Sequence, residues 1–135
     1  MALPEIARSA SRRRILVVDD GPEVAKAIRM ALAVGAGYDV EIAEDGETAL
    51  ARYRAGKYDL VITDLKMPKI DGLELAAAIK KLSPSQPIIL ITAYAESLKD
   101  DHARLANVDF VLEKPFSLQQ LQDALARTFP LSEAS

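Results

Sequence analysis

The groups in this chain that are best suited to chemistry are three carboxylates, a hydroxyl and an ammonium group, each following a short apolar run. They belong to Asp19, Asp20, Asp64, Thr92 and Lys114. Short apolar runs bounded by turn residues are typical of buried strands. If these strands are parallel, their carboxyl ends share one edge of a sheet, which is where open α/β sheets bind ligands. We therefore expect the five side chains to converge on one site.

Carboxylates that meet in one place repel one another. At about 4 Å and an effective dielectric near 20, each pair costs on the order of 4 kcal/mol. Such a cluster needs a cation beside it or raised pKa values. Mg²⁺ suits it, because this ion takes one or two carboxylates and keeps waters that phosphate oxygens can replace. The sequence thus predicts a Mg²⁺ site formed by Asp19, Asp20 and Asp64.

Thr92 and Lys114 would add a hydroxyl donor and a positive charge to this site. A carboxylate nucleophile, a metal ion, a hydroxyl and an ammonium group are the parts needed to move a phosphoryl group onto an aspartate. In that reaction the protein mainly aligns the acceptor and spreads the charge of the phosphoryl oxygens.

The elements that must position these residues alternate along the chain. Strands are predicted at 15–18, 38–43, 58–63, 87–91 and 108–112, and helices follow each of them, the fourth roughly over 96–106. Parallel strands need crossover helices, which are nearly always right-handed. We therefore predict an α/β fold with a doubly wound five-stranded parallel sheet in three αβα layers, and the more polar strand 38–43 fits an edge.

Helix ends give further predictions. Asp71 and Ser117 are expected N-caps, and Gly35 and Gly37 are expected to end the first helix. The last helix is predicted to direct four apolar side chains inward, those of Leu118, Leu121, Leu125 and Phe129.

Length and composition limit the possible classes of protein. The chain has 135 residues, half of them apolar, which suits one domain at 12–130 between short tails at 1–11 and 131–135. A net charge of −3 with both signs mixed predicts no nucleic-acid partner. The sequence has no cysteine, no membrane-spanning apolar run and no secretory signal, so a cytoplasmic protein without membrane insertion is expected.

Four motifs closely resemble the receiver domain of two-component response regulators: VVDD at 17–20, DLKMPKIDG at 64–72, ITA at 91–93 and KPF at 114–116. The resemblance covers about 14 to 129. It implies a flavodoxin-like (βα)5 fold, with Asp64 as the phospho-acceptor, Thr92 as the switch hydroxyl and Lys114 as the phosphate-binding lysine. It also implies that Asp19, Asp20, Asp64 and the backbone carbonyl of Lys66 bind Mg²⁺, and that the Lys114–Pro115 peptide is cis.

One position departs from the family pattern. Receivers usually carry Tyr or Phe three residues before the lysine, where this chain has Val111. The neighbouring aromatic residue, Phe110, should point to the opposite face of its strand. Tyr94 is a candidate for a substitute ring. Chemistry at Asp64 should survive this change, whereas Val111 offers no ring for the switching that the family pattern implies.

The resemblance implies a signalling protein. A sensor histidine kinase or a phosphotransfer protein would phosphorylate Asp64, and the modified protein would bind a different downstream partner or form a dimer. Because no output domain follows in this sequence, we expect a stand-alone receiver. It would be no enzyme beyond transferring a phosphoryl group to itself and removing it again.

Two other functions are compatible with parts of the sequence. A degenerate receiver could act as a constitutive binding module, which Val111 favours and the intact acidic set opposes. A phosphatase with an aspartyl nucleophile, like the haloacid dehalogenases, would need a second carboxylate two residues after Asp64. That position is Lys66, and the chain has no room for a cap domain.

Overall fold

A parallel five-stranded sheet forms the centre of the protein in the computed structural model, which describes residues 13–33 and 38–128. The strands are β1 (Arg13–Val18), β2 (Tyr38–Ala43), β3 (Leu60–Asp64), β4 (Ile88–Thr92) and β5 (Phe110–Glu113). Their order is β2-β1-β3-β4-β5, so β2 lies at an edge as its polar pattern predicts. The helices of the described ranges are α1 (Pro22–Ala33), α2 (Gly46–Ala55), α3 (Gly72–Leu82), α4 (Ala95–Leu98), α5 (His102–Leu105) and α6 (Leu118–Thr128).

Alternate residues of each strand face opposite layers of helices. In β1, Ile15 and Val17 pack with α1 and α6, whereas Leu16 and Val18 pack with α2 and α3. A third apolar cluster joins Leu90 of β4 to α3 and α4. The predicted three-layer, doubly wound, flavodoxin-like architecture is therefore confirmed.

Two strand boundaries differ from the prediction for a shared reason. The strand predicted at 58–63 begins at Leu60, and the one predicted at 108–112 begins at Phe110. In each case an aspartate precedes the strand, and its carboxylate accepts a hydrogen bond from a backbone N–H of the neighbouring strand. Asp59 Oδ2 accepts from Arg14 N at 2.8 Å, and Asp109 Oδ2 accepts from Ile88 N at 2.8 Å.

The prediction of one helix over 96–106 is wrong. Two single turns, α4 and α5, replace it, with a break at 99–101. Leu98 is the buried anchor of α4, and α5 buries none of its residues. With so little apolar surface to bury, this stretch lacks the packing that normally sustains a short helix.

The predicted N-caps are present. Asp71 forms a reciprocal capping box with Glu74, and Ser117 Oγ accepts from Gln120 N at 3.1 Å. The inward face of α6 needs one correction, because Leu118 is 53% exposed, whereas Leu121 and Leu125 are buried. Leu118 is the first residue of α6, one turn before the buried Leu121. Gly35, Gly37, Phe129 and both predicted tails lie outside the described residues.

Polar side chains tie the strands together at the amino end of the sheet. Glu41 accepts a hydrogen bond from the Tyr58 hydroxyl at 2.7 Å and one from Arg14 at 2.5 Å. These bonds lower the pKa of Glu41, with the Tyr58 hydroxyl as the largest cause. A cavity of about 580 Å³ opens at the same end, lined partly by Tyr53, Tyr58 and Ser85. None of the helices in the described ranges is long and apolar enough to cross a membrane.

Candidate functional site

The carboxyl ends of the strands bring together the acidic residues singled out in the sequence. Asp19 and Asp20 follow β1, and Asp64 is the last residue of β3. One carboxylate oxygen from each of the three lies within 4.8 Å of the other two. Asp19 and Asp64 are buried, whereas Asp20 is exposed. The acidic convergence expected from parallel strands is therefore present.

One oxygen of the Asp64 carboxylate contacts two positively polarised groups. Its Oδ1 accepts a hydrogen bond from Leu65 N at 2.9 Å and lies 3.3 Å from Lys114 Nζ. Leu65 N also donates to Ile91 O at 2.9 Å, which fixes the start of the following loop on β4. The Asp64 carboxylate also contacts the carboxyl group of Asp19.

Asp19 is buried beside a second carboxylate, that of Asp64. Burial raises the pKa of Asp19, and the neighbouring charge of Asp64 raises it further. A hydrogen bond from Gly21 N at 2.8 Å acts in the opposite direction. Three carboxylates this close together, one of them with a raised pKa, fit a hard divalent cation such as Mg²⁺. The ligand role of each aspartate stays a prediction.

Thr92 lies at the end of β4 and is 1% exposed. Its Oγ accepts a hydrogen bond from Tyr94 N at 2.8 Å, and its carbonyl accepts one from Lys114 N at 2.9 Å. The second bond places the lysine beside the threonine. Because the hydroxyl oxygen accepts from Tyr94, its own proton is available for a bound anion.

The loop after Asp64 depends on a glycine at its end. Gly72 N donates to Leu65 O at 2.8 Å, and a Cβ added at Gly72 would lie 2.2 Å from Asp64 O. Lys66 lies within this loop, and its carbonyl remains a predicted ligand. The Lys114–Pro115 peptide is cis, as the resemblance implies.

Val111 and Phe110 face opposite sides of the sheet as predicted. Val111 packs against the cluster that contains Leu90, and Phe110 packs on the side of α1 and α6. Tyr94 is 53% exposed, and Lys66 Nζ lies 5.2 Å from the centre of its ring. Val111 therefore fills the usual aromatic position with a small side chain, and the exposed ring beside the site is that of Tyr94.

Sequence reasoning missed the backbone donors of the site. Leu65 N binds the Asp64 carboxylate and Tyr94 N binds the Thr92 hydroxyl. Any residue except proline offers this N–H, so the residue types give no signal. The cavity at the other end of the sheet contains none of the predicted site residues.

Known proteins resemble this chain in both sequence and fold. The family described as response regulator receiver domain matches residues 15–126. The response regulator MprA of Mycolicibacterium vanbaalenii is 38% identical over 122 residues, which cover 87% of this chain and 52% of MprA. The chain thus spans about half the length of the curated relatives it matches.

Solved structures agree with this assignment. TrrA of Thermotoga maritima, crystallised in complex with Mg²⁺-BeF, has a TM-score of 0.79 and 38% identity, covering 86% of this chain and 98% of TrrA. The chemotaxis response regulator CheY4 of Vibrio cholerae has a TM-score of 0.79 and 29% identity, covering 87% and 99%. With its sheet order, its acidic cluster and the matched residues 15–126, this chain belongs to the response regulator receiver domain family.

Proposed function

We propose that the protein accepts a phosphoryl group on Asp64 from a sensor histidine kinase or a phosphotransfer protein, in a Mg²⁺-dependent reaction, and that the modification changes its binding partner. The observation that carries this proposal is the convergence of three carboxylates with the ammonium group of Lys114, which lies 3.3 Å from Asp64 Oδ1. An acidic cluster with one cation at its rim suits a metal-bound anion.

In the proposed transfer, the nucleophile is Asp64 Oδ2. Oδ2 attacks the phosphorus of a phosphohistidine, and the phosphorus–nitrogen bond breaks with its electron pair going to the imidazole nitrogen, which gains a proton. Lys114 Nζ and the Thr92 hydroxyl donate hydrogen bonds to the phosphoryl oxygens. Asp19, Asp20, Asp64 and the Lys66 carbonyl would hold Mg²⁺, which would supply further positive charge against these oxygens.

The same site accounts for switching. When Thr92 donates its proton to a phosphoryl oxygen, its side chain shifts relative to Tyr94 N, which now donates to it at 2.8 Å. That shift alters the surface that begins at Tyr94 and changes which downstream protein binds. Dimerisation after phosphorylation is one form that this change can take. Beyond its own phosphorylation and dephosphorylation, we propose no catalytic activity.

A second candidate function is a receiver that binds partners without switching. Val111 favours it, because its side chain cannot act as the aromatic residue that usually rotates at this position. The acidic cluster and Lys114 oppose it, since a mere binding module does not need three converging carboxylates with an ammonium group beside them. A phosphatase acting on other substrates is disfavoured, because Lys66 stands where the second carboxylate is needed.

Intact-protein mass spectrometry tests the proposed function. With Mg²⁺ and a small acyl-phosphate donor, the protein should gain one phosphoryl mass, and Asp64→Asn should gain none. Asp123→Asn is a matched control, because it removes an exposed carboxylate on α6 and should label like the wild type. Equal labelling of the Asp64→Asn variant and the wild type would contradict the proposal. Absence of labelling in all three proteins would favour the non-switching module.

A further inference from the structure

The stretch between β4 and β5 is attached to the rest of the protein by few contacts. Its two helical turns, α4 and α5, are separated at 99–101. Leu98 holds α4 in the apolar cluster of Leu90, but α5 has no buried residue and only Leu105 packs against that cluster. Polar contacts must therefore contribute much of what positions α5.

The polar contact of α5 is an ion pair with the loop that follows Asp64. Arg104 Nη2 lies 3.0 Å from Asp71 Oδ2 and 3.1 Å from its Oδ1. Arg104 Nη1 lies 3.6 Å from Asp101 Oδ2 within the same stretch. The guanidinium is thus shared between the break that precedes α5 and the first turn of α3.

The Asp71 end of this pair is rigid. Asp71 Oδ1 accepts from Glu74 N at 2.8 Å, and Glu74 Oε1 accepts from Asp71 N at 2.8 Å. The next residue, Gly72, is fixed to Leu65 by a backbone bond of 2.8 Å. Loss of Arg104 would leave these bonds in place, so the ion pair matters more to α5 than to the loop around Asp64.

The two turns are consequently attached to the site in different ways. The stretch that leads into α4 begins at Tyr94, whose N–H binds the reacting hydroxyl of Thr92. The second turn is bound through Arg104 to Asp71, which has no contact with the reacting atoms. When Thr92 binds a phosphoryl group, the contact between Tyr94 N and Thr92 changes directly, whereas the ion pair between Arg104 and Asp71 does not.

We propose that Arg104 anchors α5 to the loop after Asp64, so that the rearrangement caused by phosphorylation is confined to residues 94–101 and pivots at the break. This inference rests on the proposed function for its switching part. Arg104 acts as a positioning residue through Asp71, and the surface that changes for partners is the first turn rather than the whole stretch.

Amide chemical shifts and amide hydrogen exchange test the anchor. On addition of Mg²⁺ and beryllium fluoride, wild-type shifts should change at 94–101 and remain small at 102–107. In Arg104→Gln the changes should spread through 102–107, and exchange at 102–105 should become about two- to fivefold faster even without the added ions. Asp71→Asn, which keeps an N-cap oxygen, should behave similarly. Lys99→Gln, which removes only the exposed pair with Glu96, should retain the wild-type pattern.

The two proposals fail in different ways. Equal shift changes in both turns of the wild type, or unchanged exchange at 102–105 in Arg104→Gln, would overturn the anchor while leaving phosphorylation of Asp64 intact. Shifts at Leu65 and Thr92 that do not respond to Mg²⁺ and beryllium fluoride would overturn the proposed function and, with it, the confined rearrangement.

Discussion

Lys114 Nζ lies 3.3 Å from Asp64 Oδ1, and it is the cation that the described residues place beside the acidic cluster. The lysine side chain is 28% exposed, whereas that of Asp64 is 11% exposed. A positive charge at the rim of the site attracts phosphoryl oxygens, but it also repels any metal ion bound to the same carboxylate. The two cations that this chemistry needs therefore work against each other before phosphate arrives.

Replacing Lys114 should reveal this competition. We expect Lys114→Gln to bind Mg²⁺ roughly fivefold more tightly, because the repulsion removed is about 1 kcal/mol at a partly solvated site. Phosphoryl transfer to Asp64 should become slower, since the phosphoryl oxygens lose a cation. A Mg²⁺ titration followed by the amide shift of Leu65 measures the affinity, with Lys99→Gln as the control. Weaker Mg²⁺ binding by Lys114→Gln would contradict the expected competition.

Asp19→Asn should stabilise the metal-free protein while weakening Mg²⁺ binding. Burial and Asp64 raise the folded-state pKa of Asp19 above its unfolded value, so the ionised side chain opposes folding as the pH rises through that range. The variant should gain about 1 kcal/mol at pH 7 in a chelator, and the gain should vanish in acid, where wild-type Asp19 is protonated. Urea unfolding at both pH values measures it. A variant less stable than the wild type at pH 7 would refute the prediction.

Glu41→Gln should reduce stability at neutral pH but not in acid. The hydroxyl of Tyr58, followed by Arg14, holds the pKa of Glu41 below its ordinary value. The resulting stability is present above the unfolded pKa and is lost as the pH falls through the lower folded value. Because Glu41 and Arg14 are partly exposed, the loss at pH 7 should be about 0.5–1 kcal/mol. Thermal unfolding from pH 7 to pH 3 should show the two curves converging; a constant difference would argue against this origin.

Gly72→Ala should destabilise the protein and distort the acceptor loop. The added Cβ would lie 2.2 Å from Asp64 O and 2.9 Å from the Leu90 side chain, so the backbone must move. We expect a loss of about 2–3 kcal/mol and slower labelling of Asp64. Gly56→Ala is the matched control, because its nearest neighbour is a flexible Arg14 side-chain atom at 3.4 Å. Denaturant unfolding and mass labelling distinguish the two variants, and equal effects would show that the close approach at Gly72 is unimportant.

The sequence was informative where residue type decides the structure. Apolar runs predicted four strands and an alternating pattern predicted the edge strand at 38–43, and the positions of Asp20, Asp64 and Lys114 after three of the apolar runs predicted that they meet. Asp71 and Ser117 were predictable as caps because their short polar side chains suit that position. The number of strands also follows from this local pattern, whereas their order was not predicted beyond the edge position of the strand at 38–43.

The predicted and observed structures differ where tertiary contacts outweigh the local sequence pattern. The helical periodicity of 96–106 suggested one helix, but the pattern could not show that only Leu98 would be buried there. Leu118 fits the apolar stripe of α6 and yet is exposed. The pairing of Arg104 with Asp71 depends on two loops meeting, which neither local sequence encodes. Whether the protein exists without an output domain stays a prediction, since the chain spans only about half the length of the curated relatives it matches.

The acidic cluster and the cavity near Tyr58 lie at opposite ends of the same strands, which offers a practical route to a biosensor. The sequence contains no cysteine, so a single Ser85→Cys substitution in the cavity wall would provide a unique thiol for a fluorophore. Ser85 is exposed, and the dye would sit a full strand length away from Asp64. Such a conjugate would report binding to kinases and targets by changes in its fluorescence anisotropy, without a substitution near Asp64.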